Sequence, residues 1–140
     1  MPLENLARSD VVTAHEDESV QELATRMDES RVGSVVITDD DEPVGIVTDR
    51  DLAMRVIGDE RDPTDATASD IMSDDLATIR ETAGFYQATE HMSEHGVRRL
   101  PVCNDDDELV GIITADDLTE LLADEHMQFA DVIRSQRPEY

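Results

Sequence analysis

Apolar positions along the chain follow two periods that alternate. Val20, Leu23, Ala24 and Met27 recur at i, i+3, i+4 and i+7 behind Ser19, which predicts a capped helix with one buried face that ends near Ser30. Val32 to Ile37 and Val44 to Val47 are dense in β-branched residues and flank the acidic run Asp39-Asp40-Asp41-Glu42-Pro43, which predicts two strands joined by a turn. Val11-Val12-Thr13 reads as a brief strand before the helix, and residues 50–58 as a second helix after the hairpin. Residues 1–10 are a lead-in with Leu3, Leu6 and Ala7 on one side, and residues 59–69, rich in Asp, Pro, Thr and Ala, are a linker.

The pattern then starts again. Ala77-Thr78-Ile79 matches Val12-Thr13-Ala14 at an offset of 65, which also sets Val97 on Val32 and Val102 on Ile37. Gly111-Ile112-Ile113-Thr114-Ala115-Asp116-Asp117 repeats Gly45-Ile46-Val47-Thr48-Asp49-Arg50-Asp51 at an offset of 66, so one residue is inserted in the second acidic turn. Two β-α-β-β-α units follow, an α/β (α+β) fold: repeat 1 with its lead-in over 1–62, repeat 2 over 63–125, and a tail over 126–140 that continues a helix or trails off. Halves of this size cannot cover both faces of a sheet alone, so the repeats are expected to pack on each other about a pseudo-twofold axis.

Both seven-residue strings read G-[apolar]-[apolar]-T-x-x-D, a strand that turns into a helix with Thr at the helix N-terminus. The first N–H groups of a helix lack intrahelical partners and sit at the positive end of its dipole, so a hydroxyl beside them suits a phosphate. An Asp three residues on could accept hydrogen bonds from a ribose diol. The same spacing is that of a capping box, which gives these residues a purely structural role as well.

Composition narrows the choices. With only two Phe, two Tyr and no Trp, the core has to be aliphatic. The net charge of −24 comes from 35 acids against 11 bases, every base is Arg, and the acids are spread through segments of regular apolar period, which argues for a folded chain. Such a surface suits the molar salt of salt-accumulating halophiles, where the Debye length falls to about 3 Å and self-repulsion is screened. It argues against nucleic acid and anionic membranes as partners. The N-terminus lacks a basic region followed by an apolar one and no apolar run reaches membrane length, so a cytoplasmic protein is expected.

Few residues suggest further chemistry. Cys103 is the single cysteine, excludes an internal disulfide and is read as core. His91 and His95, four apart on a helix, could meet a metal from one face, but no third ligand is assigned, so no metal site is expected. The acidic runs lack EF-hand spacing and are read as solvated turns. No nucleophile–base pair, P-loop or H-E-x-x-H is present, so no catalysis is expected.

Taken with Gly96-Val97-Arg98-Arg99-Leu100-Pro101-Val102, the two G-x-x-T-x-x-D strings make residues 8–125 resemble a tandem cystathionine-β-synthase-type (CBS) domain pair, a Bateman module. The resemblance implies a regulatory module that binds an adenosine nucleotide, AMP, ADP or ATP, in the cleft between its repeats and forms a flat homodimer; a separate effector protein is the expected recipient of its signal. It implies that Asp51 and Asp117 hold ribose hydroxyls, that Thr48 and Thr114 face phosphate, that Thr13 and Thr78 flank the base, and that Arg98 and Arg99 match positions that reach phosphate; neighbours on a strand face opposite ways, so only one of the two arginines is expected in a given pocket. Repeat 1 departs from the pattern, with Gly33-Ser34-Val35-Val36 where repeat 2 has Arg98-Arg99-Leu100-Pro101; Arg31 and Arg50 are candidates to supply charge there. S-adenosylmethionine and NAD share the adenosine, and a dimerisation scaffold with vestigial, unoccupied clefts is the alternative of another class.

Overall fold

A computed structural model describes residues 3–73 and 75–138; the first two residues of the lead-in and the last two of the tail lie outside the described residues. Repeat 1 runs β1 (Thr13–Ala14), α1 (Val20–Ser30), β2 (Ser34–Asp39), β3 (Glu42–Thr48) and α2 (Asp49–Asp51). A short α3 (Ala68–Ile71) follows, and repeat 2 runs β4 (Ile79–Arg80), α4 (Phe85–His95), β5 (Arg99–Cys103), β6 (Leu109–Thr114) and α5 (Ala115–Gln136). Each repeat holds a three-stranded sheet, β1-β2-β3 and β4-β5-β6, with the first pair parallel and the second antiparallel. The fold is therefore mixed α/β with two β-α-β-β-α units. Among the described residues, no helix is long and apolar enough to cross a membrane.

The two hairpins agree residue for residue. Ile37 pairs with Gly45 and Val102 with Gly111, and each ladder has a bulge just after that pair. The inserted residue lies in the second turn, where the Asn104 side chain accepts from the backbone N–H groups of Asp106 and Glu108, both at 3.0 Å. The first strands differ by one residue. Val36 N–H donates to Val12 at 3.0 Å and Thr13 enters β1, whereas the residue equivalent to Val36 is Pro101, which has no N–H. Thr78 accordingly precedes β4, which begins at Ile79.

Local signals account for most helix ends. The Ser19 hydroxyl caps α1 by accepting from Glu22 N–H, and Gly96, at φ 63°, closes α4 in the left-handed region that glycine enters without strain. The helix expected over 50–58 is α2 continued by a π turn, Leu52–Ile57, in which Gly58 N–H reaches the Ala53 carbonyl at 2.8 Å. That wider turn buries Val56 and leaves Met54 and Ile57 exposed. The tail continues as helix through Gln136, so α5 is 22 residues long, about 33 Å at 1.5 Å per residue.

The segments ahead of the repeats change places. Leu3 is fully buried with Ala88, Met92, Leu100, Val102 and Ile113 in the core of repeat 2, while Ala66, Ala68 and Ile71 are buried in the core of repeat 1. The lead-in also pairs along β6, where Arg8 and Ile112 exchange backbone bonds of 3.0 Å each way, and Ser73 bridges Ile46 of β3. Both crossings pass over the glycine that opens a G-x-x-T-x-x-D string. A Cβ on Gly111 would stand 2.9 Å from the Arg8 carbonyl oxygen, and one on Gly45 would stand 2.5 Å from Met72 Sδ. Glycine is needed at these positions for close approach of a second segment.

Candidate functional site

At each strand-to-helix corner the Thr and Asp of the string close a full capping box. Thr48 Oγ1 accepts from Asp51 N–H at 3.2 Å and Asp51 Oδ2 accepts from Thr48 N–H at 2.9 Å. The second corner repeats this with Thr114 and Asp117, both bonds at 3.1 Å. The helices' leading amides are also engaged: Asp49 N–H donates to the Gly33 carbonyl at 2.9 Å and Ala115 N–H to the Arg98 carbonyl at 2.8 Å. Fewer N–H groups are thus left for an anion than a bare helix terminus would offer. Each Thr hydroxyl, accepting through its oxygen, keeps its own hydrogen to donate.

The outer oxygens of the two carboxylates differ. Asp117 Oδ1 accepts from Arg8 Nη2 at 2.8 Å and Arg8 Nε at 3.2 Å, a two-pronged contact. The carboxylate in turn raises the Arg8 guanidinium above its ordinary pKa, first through those hydrogen bonds and then through charge. Among the described residues, Asp51 Oδ1 faces only Arg55 Nε, at 3.8 Å within the same helix, and Arg55 spends Nη1 on the Ile71 carbonyl at 2.7 Å.

Between the repeats lies an open cleft of about 250 Å³, lined by Ile46, Thr48, Asp49 and Arg50 from repeat 1 and by Val97, Arg98 and Arg99 from repeat 2. Of the residues singled out by sequence, it brings together Thr48, Arg50, Arg98 and Arg99. Both arginines reach it although neighbours on a strand face opposite ways, because β5 begins only at Arg99 and Arg98 still belongs to the turn. The Arg99 guanidinium lies over Gly33 beside the Asp49 carboxylate: a Cβ on Gly33 would stand 3.0 Å from Arg99 Nη2 and 3.2 Å from Asp49 Oδ2. Arg98 is exposed and pairs with Asp116 at 3.2 Å.

Thr13 and Thr78 lie elsewhere. The Thr13 carbonyl accepts from Arg26 Nη1 at 2.9 Å, and Arg26 also pairs with Glu18, whose carboxyl is held below the usual glutamate range mainly by that bond. Thr78 lines a separate open groove of about 590 Å³ with Arg80, Thr82, Gln87, Glu90 and His91. Cys103 is buried, and burial pushes its thiol pKa up, the opposite of what a nucleophile needs. Two features escaped sequence reasoning: Arg8 on Asp117, which no spacing signals, and Glu94, which stands beside His91 and His95 and is visible in the string His91-Met92-Ser93-Glu94-His95.

Comparison with known proteins agrees with this architecture. An uncharacterized protein of Methanopyrus kandleri is 39% identical over 117 residues; the match takes in 83% of this chain but only 60% of that relative's length. Hypoxic response protein 1 of Mycobacterium tuberculosis is 32% identical over 134 residues, 94% of this chain and 92% of its own. A crystal structure of Hypoxic Response Protein I with two coordinated zinc ions superposes at a TM-score of 0.78 with 30% identity, covering 86% of this chain and 98% of that one. A CBS domain protein from Pyrobaculum aerophilum, complexed with AMP, superposes at 0.76 with 28% identity over 84% of this chain and 89% of its own. The family model of the CBS domain matches residues 3–58 and again 68–124, so the chain belongs to the CBS domain family and carries the domain as a tandem pair.

Proposed function

We propose that the chain is a regulatory sensor that binds an adenosine nucleotide in the cleft between its repeats and passes occupancy on to its assembly or to a separate effector protein. The observation that carries this reading is the cleft itself, where Thr48 of one repeat faces Arg98 and Arg99 of the other. A phosphate there meets a donor hydroxyl and guanidinium groups, whose charge-assisted bonds survive salt that screens the distant carboxylates. Asp51, with Oδ1 outside its capping box, is the better placed of the two carboxylates to accept a ribose hydroxyl. The AMP complex of the Pyrobaculum relative supports the ligand class. The acidic surface fits a cytoplasm rich in salt.

Transmission requires a second arrangement that the ligand binds with different affinity. The face for it is the apolar side of α5, where Leu122, Phe129, Val132 and Ile133 are exposed at helical spacing, and a second copy of this chain is the occupant that a homodimer would bring. The same stripe, together with Arg8 held on Asp117, favours the second reading, a scaffold that dimerises whatever its clefts hold.

The test is thermal unfolding in molar KCl with AMP, ADP, ATP, NAD and S-adenosylmethionine. A ligand at a hundred times its dissociation constant adds about 2.7 kcal/mol. The comparison is the Asp51→Asn, Asp117→Asn double variant; Ala would also open both capping boxes and confuse lost binding with lost stability. A shift with one nucleotide, lost in the variant, is the expected result. No shift with any ligand, and a dimer indifferent to all of them, favours the scaffold.

A further inference from the structure

The last turn of α4 carries a cluster that the nucleotide cleft does not use. His91, Glu94 and His95 stand at i, i+3 and i+4, so they leave the helix on one face, and one ligand atom from each lies within 4.8 Å of the other two. The two imidazole rings are 4.3 Å apart, centre to centre. His95 Nδ1 lies 2.9 Å from the His91 carbonyl oxygen. A carbonyl only accepts, so Nδ1 is the donor in this contact and Nε2 is the nitrogen left to ligate. Histidines that ligate metals are oriented in this way, with the second ring nitrogen donating to a carbonyl or carboxylate.

From these positions we infer that His91, Glu94 and His95 form a three-ligand site for a divalent cation of the zinc class. Two imidazoles and a carboxylate match the ligands of Zn²⁺ and its late transition-metal neighbours, whereas Mg²⁺ and Ca²⁺ take oxygen alone. The spacing H-x-x-E-H within one helix is one on which protein helices seat zinc. His91 is half-buried and borders the 590 Å³ groove, so an ion arrives from solvent and its fourth position is open to water.

Calorimetric titration of Zn²⁺ into the full, chelator-stripped chain tests the site with no nucleotide present, so its result is independent of the cleft. One site per chain is expected above the weak carboxylate background that so acidic a surface produces. The His91→Gln, His95→Gln double variant, with unchanged far-UV circular dichroism, is expected to keep the background and lose the site. Glu94→Gln is expected to weaken it roughly tenfold or more, since removing even a ligand's outer partner costs about 10- to 100-fold. Co²⁺ serves as a second probe, its visible absorption reporting imidazole ligation and vanishing in the double variant. Zinc isotherms that coincide for the wild-type chain and the double variant, or a Glu94→Gln isotherm equal to wild type, overturn the assignment.

Discussion

The two strand-to-helix corners are built from the same seven-residue pattern and close the same capping box, yet only one carboxylate keeps its outer oxygen clear of a close partner. At Thr48–Asp51 that oxygen faces an arginine of its own helix at 3.8 Å; at Thr114–Asp117 it is gripped by Arg8, 109 residues away in sequence, at 2.8 Å. Local sequence sets the cap, and tertiary neighbours decide what the carboxylate is free to do. The neighbours differ because of which segment crosses the edge of each third strand: the lead-in brings an arginine to repeat 2, and the segment that leaves α3 brings Met72 to repeat 1.

The largest expected effect addresses the crossings themselves. Leu3→Ala and Ile71→Ala each remove a buried side chain contributed by a crossing segment, and each is expected to lose about 2–5 kcal/mol in denaturant unfolding. If the lead-in were only a frayed end, Leu3→Ala would cost nothing, and the comparison would collapse. A smaller difference separates the glycines. Gly111→Ala meets the Arg8 backbone and is expected to cost about 1–3 kcal/mol, whereas Gly45→Ala meets the pliable Met72 side chain and is expected to cost less in the same assay.

Arg8→Ala sharpens the contrast between the corners directly. The Arg8 side chain is 62% exposed, so less than about 1 kcal/mol of stability should go with it. Ligand stoichiometry is the informative readout: freeing Asp117 is expected to let calorimetry resolve a second nucleotide site per chain, and an unchanged stoichiometry would show that Arg8 does not gate that corner. The smallest effect concerns pH. Glu18 has a folded pKa below its unfolded one, so its pair with Arg26 contributes stability that is present above the ordinary glutamate pKa and is lost as pH falls through the folded value. Glu18→Gln should flatten the melting curve's dependence on pH in that acidic window and leave it unchanged at neutrality.

Much of this was legible in the chain. Offsets of 65 and 66 place the hairpins in register because strand pairing and turn chemistry are local, and the Ser19, Thr48 and Thr114 caps are written within four residues. What was illegible is long-range. No periodicity reveals that Leu3 belongs with Leu100 or that Arg8 meets Asp117, since those contacts depend on how the completed sheets present their edges. The π turn in 52–57 escaped for a related reason: an amphipathic pattern fixes which residues are buried, and Val56 can be buried in either helical register. Pro101 carried its message openly, because a residue without an N–H cannot hold the ladder position that Val36 holds, and Thr78 falls outside its strand as a result.

The crossing of the two leading segments bears on ancestry. The unit copied in the sequence differs from the unit that folds, because each sheet borrows its covering edge from residues that precede the other copy. A half-length forebear could have closed its sheet in this manner only by trading its leading arm with a twin. Fusing two such twins into one chain would turn an exchange between molecules into a fixed intramolecular interlock, and the two arms could then diverge until one carried Arg8 and the other Met72.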